Sequence, residues 1–170
     1  MPAETRGPSG RRAWASATGL PLSGLTATVA DPIFADAYGR LAYAYALCAH
    51  WNCSSNSDSV LGLSRQAAAQ ALSLNPRSSD AWMGRAYLLG AWSEGVRVLG
   101  DDSLLAALAS FRRAVELNPR NEDAWHQYGS MLALVSDAAA FDAMRHALAL
   151  DPARAITYQD LSLVYNHTGR

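Results

Sequence analysis

From residue 31 onward, apolar and polar positions recur in phase with four prolines, Pro32, Pro76, Pro119 and Pro152. Six residues after each proline stands an aromatic: Tyr38, Trp82, Trp125 and Tyr158. Four further on comes a small side chain (Ala42, Ala86, Gly129, Ser162), and three beyond it Tyr45, Leu89, Leu132 and Tyr165. Steps of four and three put these groups on one stripe of a helix. A second stripe precedes three of the prolines, as in Ala107, Phe111, Ala114 and Leu117, and again in Ala140, Met144, Ala147 and Leu150. The unit therefore reads helix, turn, helix, then a turn containing proline.

Each proline lacks an amide donor and disfavours a helical residue before it, so the preceding helix must stop there. The small residue lets the two helices of a unit approach, and the aromatic fills the space beside it. One such pair cannot cover its own apolar faces, so neighbouring units must stack.

The pattern resembles the tetratricopeptide repeat. Its best match is Trp125, Tyr128, Gly129, Leu132, Ala140, Met144, Ala147 and Pro152; Tyr38, Leu41, Ala42, Tyr45, then Ala68, Ala71 and Pro76 match nearly as well. The resemblance covers residues 31–170 and implies an all-α fold, a right-handed α-solenoid of antiparallel helix pairs with about three and a half repeats. Units are expected at about 33–76, 77–119, 120–152 and, in part, 153–170, after a separate segment 1–30. Trp82 and Trp125 are expected to be the buried packing anchors.

The family unit is about 34 residues long, whereas the prolines here step by 44, 43 and 33. The surplus lies between the paired helices of the first two units. One insert contains Trp51 to Asp58; the other contains Glu94-Gly95, Val96, Val98, Leu99 and Gly100-Asp101-Asp102. Each is expected to lengthen the first helix by a turn and then form a loop, either as tolerated growth or as a binding edge. Asp101-Asp102 and Ser136-Asp137 are expected helix starts, with negative charge at the amino-terminal dipole.

The two ends differ from the array. Met1 to Arg12 is rich in Pro, Gly, Ser and Arg and is expected to be disordered. Ala13 to Ala30 is weakly apolar and broken by Gly19, Pro21 and Gly24. It reads as the remnant of an earlier unit or, with Arg11-Arg12 and Thr28-Val29-Ala30, as an export signal. The last helix would show Tyr158, Leu161 and Tyr165 on a face with no following helix. Either Gln159, Asp160, Asn166 and His167 make it a polar cap, or the sequence is a piece of a longer protein; self-association through this helix is a further arrangement.

Composition narrows the function. The 170 residues hold 33 Ala and no Lys, and 14 Arg against 15 acids give a formal charge of −1. That balance argues against a nucleic-acid partner. No run of some 18 apolar residues reads as a membrane span. There is no phosphate loop, no Gly-x-Gly-x-x-Gly and no Gly-x-Ser-x-Gly elbow. Cys48, His50 and Cys53 are the one local cluster with a metal flavour, but zinc wants four ligands and no second pair exists. Cys48 is expected at a helix end and Cys53 in the loop, bridged only in an oxidising compartment. His126 and His146 lack a nucleophile and carboxylate in a shared cleft, so no enzyme, cofactor or metal site is expected.

In the resembling family the first helices of successive units line a concave groove for a peptide or partner helix. Here Arg40, Tyr43, Met83, Tyr87, His126, Gln127 and Ser130 would form that groove, unless Tyr43 and Tyr87 only pack between helices. Gly39, Tyr43, Met83 and Tyr87 stand where a clamp for a terminal carboxylate would need Lys and Asn, so a mixed, largely apolar partner surface is expected. Residues 31–45 are also similar to repeat arrays fused to bacterial adenylate cyclases, serine/threonine kinases and winged-helix regulators. That likeness gives a second reading, a regulatory segment of a larger signalling protein. A cytoplasmic location is expected; an exported assembly factor is the third reading, resting on the amino-terminal segment.

Overall fold

The computed structural model describes residues 32–51, 53, 56–90, 101–135 and 138–168. Among them the chain forms seven helices and no strand: α1 (Pro32–His50), α2 (Ser57–Leu74), α3 (Ser79–Leu89), α4 (Asp101–Leu117), α5 (Glu122–Leu134), α6 (Ala139–Leu150) and α7 (Ala155–Thr168). The first helices of the units, α1, α3, α5 and α7, pack each on the next. Each second helix, α2, α4 or α6, packs on the first helix of its own unit and on that of the following unit. This is the connectivity of an all-α repeat stack. No helix among the described residues is long and apolar enough to cross a membrane.

Three turns share one construction. The amides of Ser78, Asn121 and Arg154 donate to the carbonyls of Asn75, Asn118 and Asp151 at 3.1, 3.0 and 3.4 Å. The side chains of the same Asn and Asp accept from the amides of Arg77, Arg120 and Ala153 at 2.9, 3.1 and 3.0 Å. An Asn or Asp ahead of Pro76, Pro119 and Pro152 thus folds the turn by its own side chain, the reason these dipeptides recur. Ser78 and Asn121 then cap the next helix, accepting from Ala81 N and Ala124 N.

The core follows the two stripes. Met83, Ala86, Leu104, Ala107, Phe111, Ala114 and Met131 pack together between α3, α4 and α5. Leu132, Ala140, Phe141, Met144 and Val164 continue the core towards α7. In the first unit the stripe has shrunk to Ala42, Ala67 and Ala68, and Ser64, fully buried, donates to the Ala42 carbonyl at 2.7 Å. Small side chains bring α1 and α3 into backbone contact. A Cβ on Gly39 would lie 2.3 Å from the Asp80 carbonyl carbon, and one on Gly84 would lie 2.4 Å from the Gly39 oxygen.

Four expectations need correction or bounding. Trp82 and Trp125 are only partly buried; Phe111, Met83 and Met144 are the largest fully buried chains of the stack. The indoles instead donate to the carbonyls of Pro76 and Pro119 at 2.8 and 2.9 Å. An indole N–H needs a partner, and the turn supplies it only at the edge of the core. The first insert lengthens α1 as expected and also starts α2 early, capped by Asn56, whose side chain accepts from Ser59 N at 3.0 Å. At the second insert the described residues show α3 to Leu89 and α4 from Asp101; the turn expected to lengthen α3 lies outside them. The residues of that insert from Glu94 to Gly100 lie outside the described residues, as do segment 1–30, the Ser136-Asp137 helix start and the side chains of Asn166 and His167. On α7 Ser162 is exposed, as are Tyr158 at 52% and Tyr165 at 42%.

Candidate interaction face

The face of the first helices is built on a ladder of carboxylates. Asp36, Asp80 and Asp123 each stand four residues after a proline, which puts one in the first or second turn of α1, α3 and α5. Each is met by the cap-position residue of the next unit. Ser78 Oγ donates to Asp36 Oδ1 at 2.5 Å, Asn121 Nδ2 to Asp80 Oδ1 at 2.9 Å, and Arg154 Nη1 comes 2.7 Å from Asp123 Oδ1. Arg154 also reaches Glu122 Oε1 at 2.7 Å. Ser78 and Asn121 therefore both cap one helix and tie it to the previous unit, while Arg154, at the same position, supplies the tie alone.

Arg40 crosses this ladder. Its Nε donates to Asp80 Oδ2 at 2.7 Å, and its Nη1 lies 3.9 Å from Asp123. The Arg40 side chain is 63% exposed and that of Asp80 only 10%, so desolvation falls on the acid. Burial pushes the Asp80 carboxyl above its ordinary value in spite of Arg40 and Asn121. Burial also acts against the Arg40 charge, but Asp80, Asp123 and Glu122 together outweigh it and hold the guanidinium's pKa up.

Beside the ladder lies an aromatic row. The Tyr43 and Tyr87 rings meet edge to face with centroids 4.9 Å apart, and His50 lies edge-on to both Tyr87 and Trp51. Burial raises both tyrosine hydroxyls above their ordinary pKa. Gln127 Nε2 donates to Tyr43 Oη at 3.0 Å, joining the first unit directly to the third. Trp51, 72% exposed, ends the row where Cys48 and Cys53 form a disulfide, their Cα atoms 5.2 Å apart.

Of the residues expected to line a groove, Arg40, Tyr43, Tyr87 and Gln127 share this face. Met83 does not: it is fully buried, because its stripe faces α4. His126 is 3% exposed and packs beneath α7, its Nδ1 3.0 Å from Thr157 Oγ1 and its Nε2 3.5 Å from Asp160. Burial, with Arg154 nearby, lowers its pKa despite Asp160 and Asp123. Ser130 is half-buried at the same junction, its one hydroxyl proton facing the His126 carbonyl and Asp160 Oδ2, each 3.1 Å away. His146 lies elsewhere, its ring 4.3 Å from that of Trp125. The surface is accordingly more polar and more internally bonded than the largely apolar one expected. Asp36, Asp80, Asp123 and Arg154 escaped the sequence reading, although the proline phasing that found the aromatics also marks the three acids.

Among the described residues no group of three or more His, Cys, Asp or Glu could hold a metal ion. Residues 104–134 match the protein prenyltransferase alpha subunit repeat. The matched stretch is α4 from Leu104, the Pro119 turn and all of α5, so it pairs the second helix of one unit with the first helix of the next. It identifies a helical repeat in the middle of the stack. A search of curated proteins found no match.

Proposed function

We propose that the chain is a non-enzymatic protein-interaction module of tetratricopeptide-like repeats, taking a peptide or partner helix on the face of its first helices. The supporting observation is the Tyr43–Gln127 contact at 3.0 Å. With Arg40 and Tyr87 it gathers side chains of three units into one surface of aromatic rings and hydrogen-bonding groups. Such surfaces suit protein recognition, where Tyr and Arg anchor binding. The helical repeat matched over residues 104–134 agrees with this class. The same face would serve a free adaptor or a regulatory segment of a larger signalling protein.

The test is site-specific photocrosslinking in the native host. A crosslinker at Arg40 should yield discrete protein adducts, and one at Arg65, exposed on α2, should not. Tyr87→Ala should then weaken the purified adduct partner about ten-fold or more. Equal labelling from both positions would remove the face from consideration.

A second reading, an exported assembly factor, is favoured by one observation, the Cys48–Cys53 bridge. Disulfides persist in oxidising compartments and are rare in the cytosol. Thiol alkylation of the protein as isolated from its host decides between compartments: two modified cysteines exclude export, and none supports it.

A further inference from the structure

A cleft of about 420 Å³ opens where the two Asn-Pro-Arg turns, 75–77 and 118–120, lie side by side. Its charged lining is Asp36, Arg40, Arg77, Asp80, Arg120 and Glu122. Most of these groups already have partners inside the protein. Asp36 takes the Ser78 hydroxyl, Asp80 takes Arg40 and Asn121, and Glu122 takes Arg154. Arg77 and Arg120 are different: among the described residues neither forms an ion pair. Elsewhere on the surface Arg112 and Arg113 pair with Glu116, and Arg65 and Arg145, which also form no ion pair among the described residues, do not line this cleft.

The two unpaired arginines occupy the same place in successive units, directly after the proline, and each is anchored by the Asx bond from its own backbone amide. The third turn of this type, Asp151-Pro152-Ala153, has no arginine and does not line the cleft. Guanidinium groups hold carboxylate and phosphate oxygens through paired N–H donors, and rigid backbones reduce the entropy lost on binding.

We infer that this cleft binds an oxyanion presented on a peptide, a carboxylate or phosphorylated side chain held between Arg77 and Arg120. It adjoins the proposed interaction face through Arg40 and Asp80, and it rests on that reading only in taking the ligand to be a peptide. The carboxylate form and the phosphorylated form share the same chemistry; the probe peptides below tell them apart.

The test uses the full chain and two labelled probes, a hexaglutamate peptide and a Gly-spaced phosphoserine peptide, read by fluorescence anisotropy at low and moderate salt. Hexaglutamine serves as the uncharged control. At least one acidic probe should bind saturably, and Arg77→Gln with Arg120→Gln should weaken it about ten-fold or more. Arg112→Gln with Arg113→Gln makes the same change in net charge and should leave the affinity within about two-fold. All four positions are exposed, and circular dichroism checks that each variant keeps its helix content. An equal loss in both double variants would overturn the site as mere surface charge, and so would absence of saturable binding by both probes. Arg40 also lines the cleft, so the readings are separated at Tyr87, which does not: either failure leaves the expected effect of Tyr87→Ala on the crosslinked partner untouched.

Discussion

Asn121 holds two units together with one side chain: its Oδ1 accepts from Ala124 N at 3.1 Å while its Nδ2 donates to Asp80 Oδ1 at 2.9 Å. Asn121→Ala removes a helix cap and leaves a buried carboxylate short of a donor. The expected loss is about 2–4 kcal/mol in urea unfolding. Asn121→Asp keeps the cap but sets a second carboxylate against Asp80, so it should be more harmful at pH 8 than at pH 5. A loss below 1 kcal/mol for the alanine variant would show that the ladder carries little of the stability.

Two glycines in neighbouring helices make a paired comparison. Gly39→Ala would drive a Cβ into the backbone of α3, whereas at Gly62 nothing lies within 4 Å. We expect the first to cost about 3 kcal/mol or more. The second should stabilise by about 0.5–1 kcal/mol, since glycine loses the most freedom within a helix. Thermal melts of the two variants check both signs.

His126 should make stability pH-dependent. Its pKa in the folded protein lies below the ordinary 6.5, so the unfolded chain takes up the proton first as pH falls. The stabilisation is present above that value and is lost on acidification through it. Urea unfolding at pH 7.5 and 5.5 should show wild type losing stability, and His126→Gln losing less of it. Identical slopes in the two proteins would refute the assignment.

Because Trp82 and Trp125 lie at the core's edge and Phe111 lies within it, truncation should cost most at the phenylalanine. Phe111→Ala should cost about 3–5 kcal/mol, because the ring is fully buried. Trp125→Ala, at the core's edge, should cost less, about 2–3 kcal/mol. Trp82→Phe removes the bond to the Pro76 carbonyl together with one ring of the indole that Arg85 covers, and should cost about 1–2 kcal/mol. Guanidinium or urea titration of the three variants gives the order directly.

The helix pairs, their stripes and the proline turns were legible because each is a local pattern repeated in phase. Ala42, Ala86 and Gly129 are buried where the phasing puts them. The face was half legible. Tyr43 and Tyr87 share one face with Arg40 and meet edge to face between their helices, but a residue one step around the helix can belong to the core, as Met83 does, or to a junction, as His126 does. Which it becomes depends on how closely the next unit approaches, and glycines at positions 39 and 84 set that distance through backbone contact. Single-residue spacing does not encode it. The ladder was legible in principle, since its acids keep the proline phase, but spacing alone does not tell an acid that pairs across units from one that faces water.

The hydrogen bond between Tyr43 and Gln127 has a consequence for modularity. In a strictly linear array a repeat contacts only its neighbours, so one can be duplicated or deleted with little effect on the others. Here the middle unit is also a spacer of fixed thickness between two residues 84 positions apart. Inserting one more unit after it would separate Tyr43 from Gln127 and leave each hydroxyl and amide facing water. Lengthening the stack between them would therefore cost the contact that ties its first unit to its third.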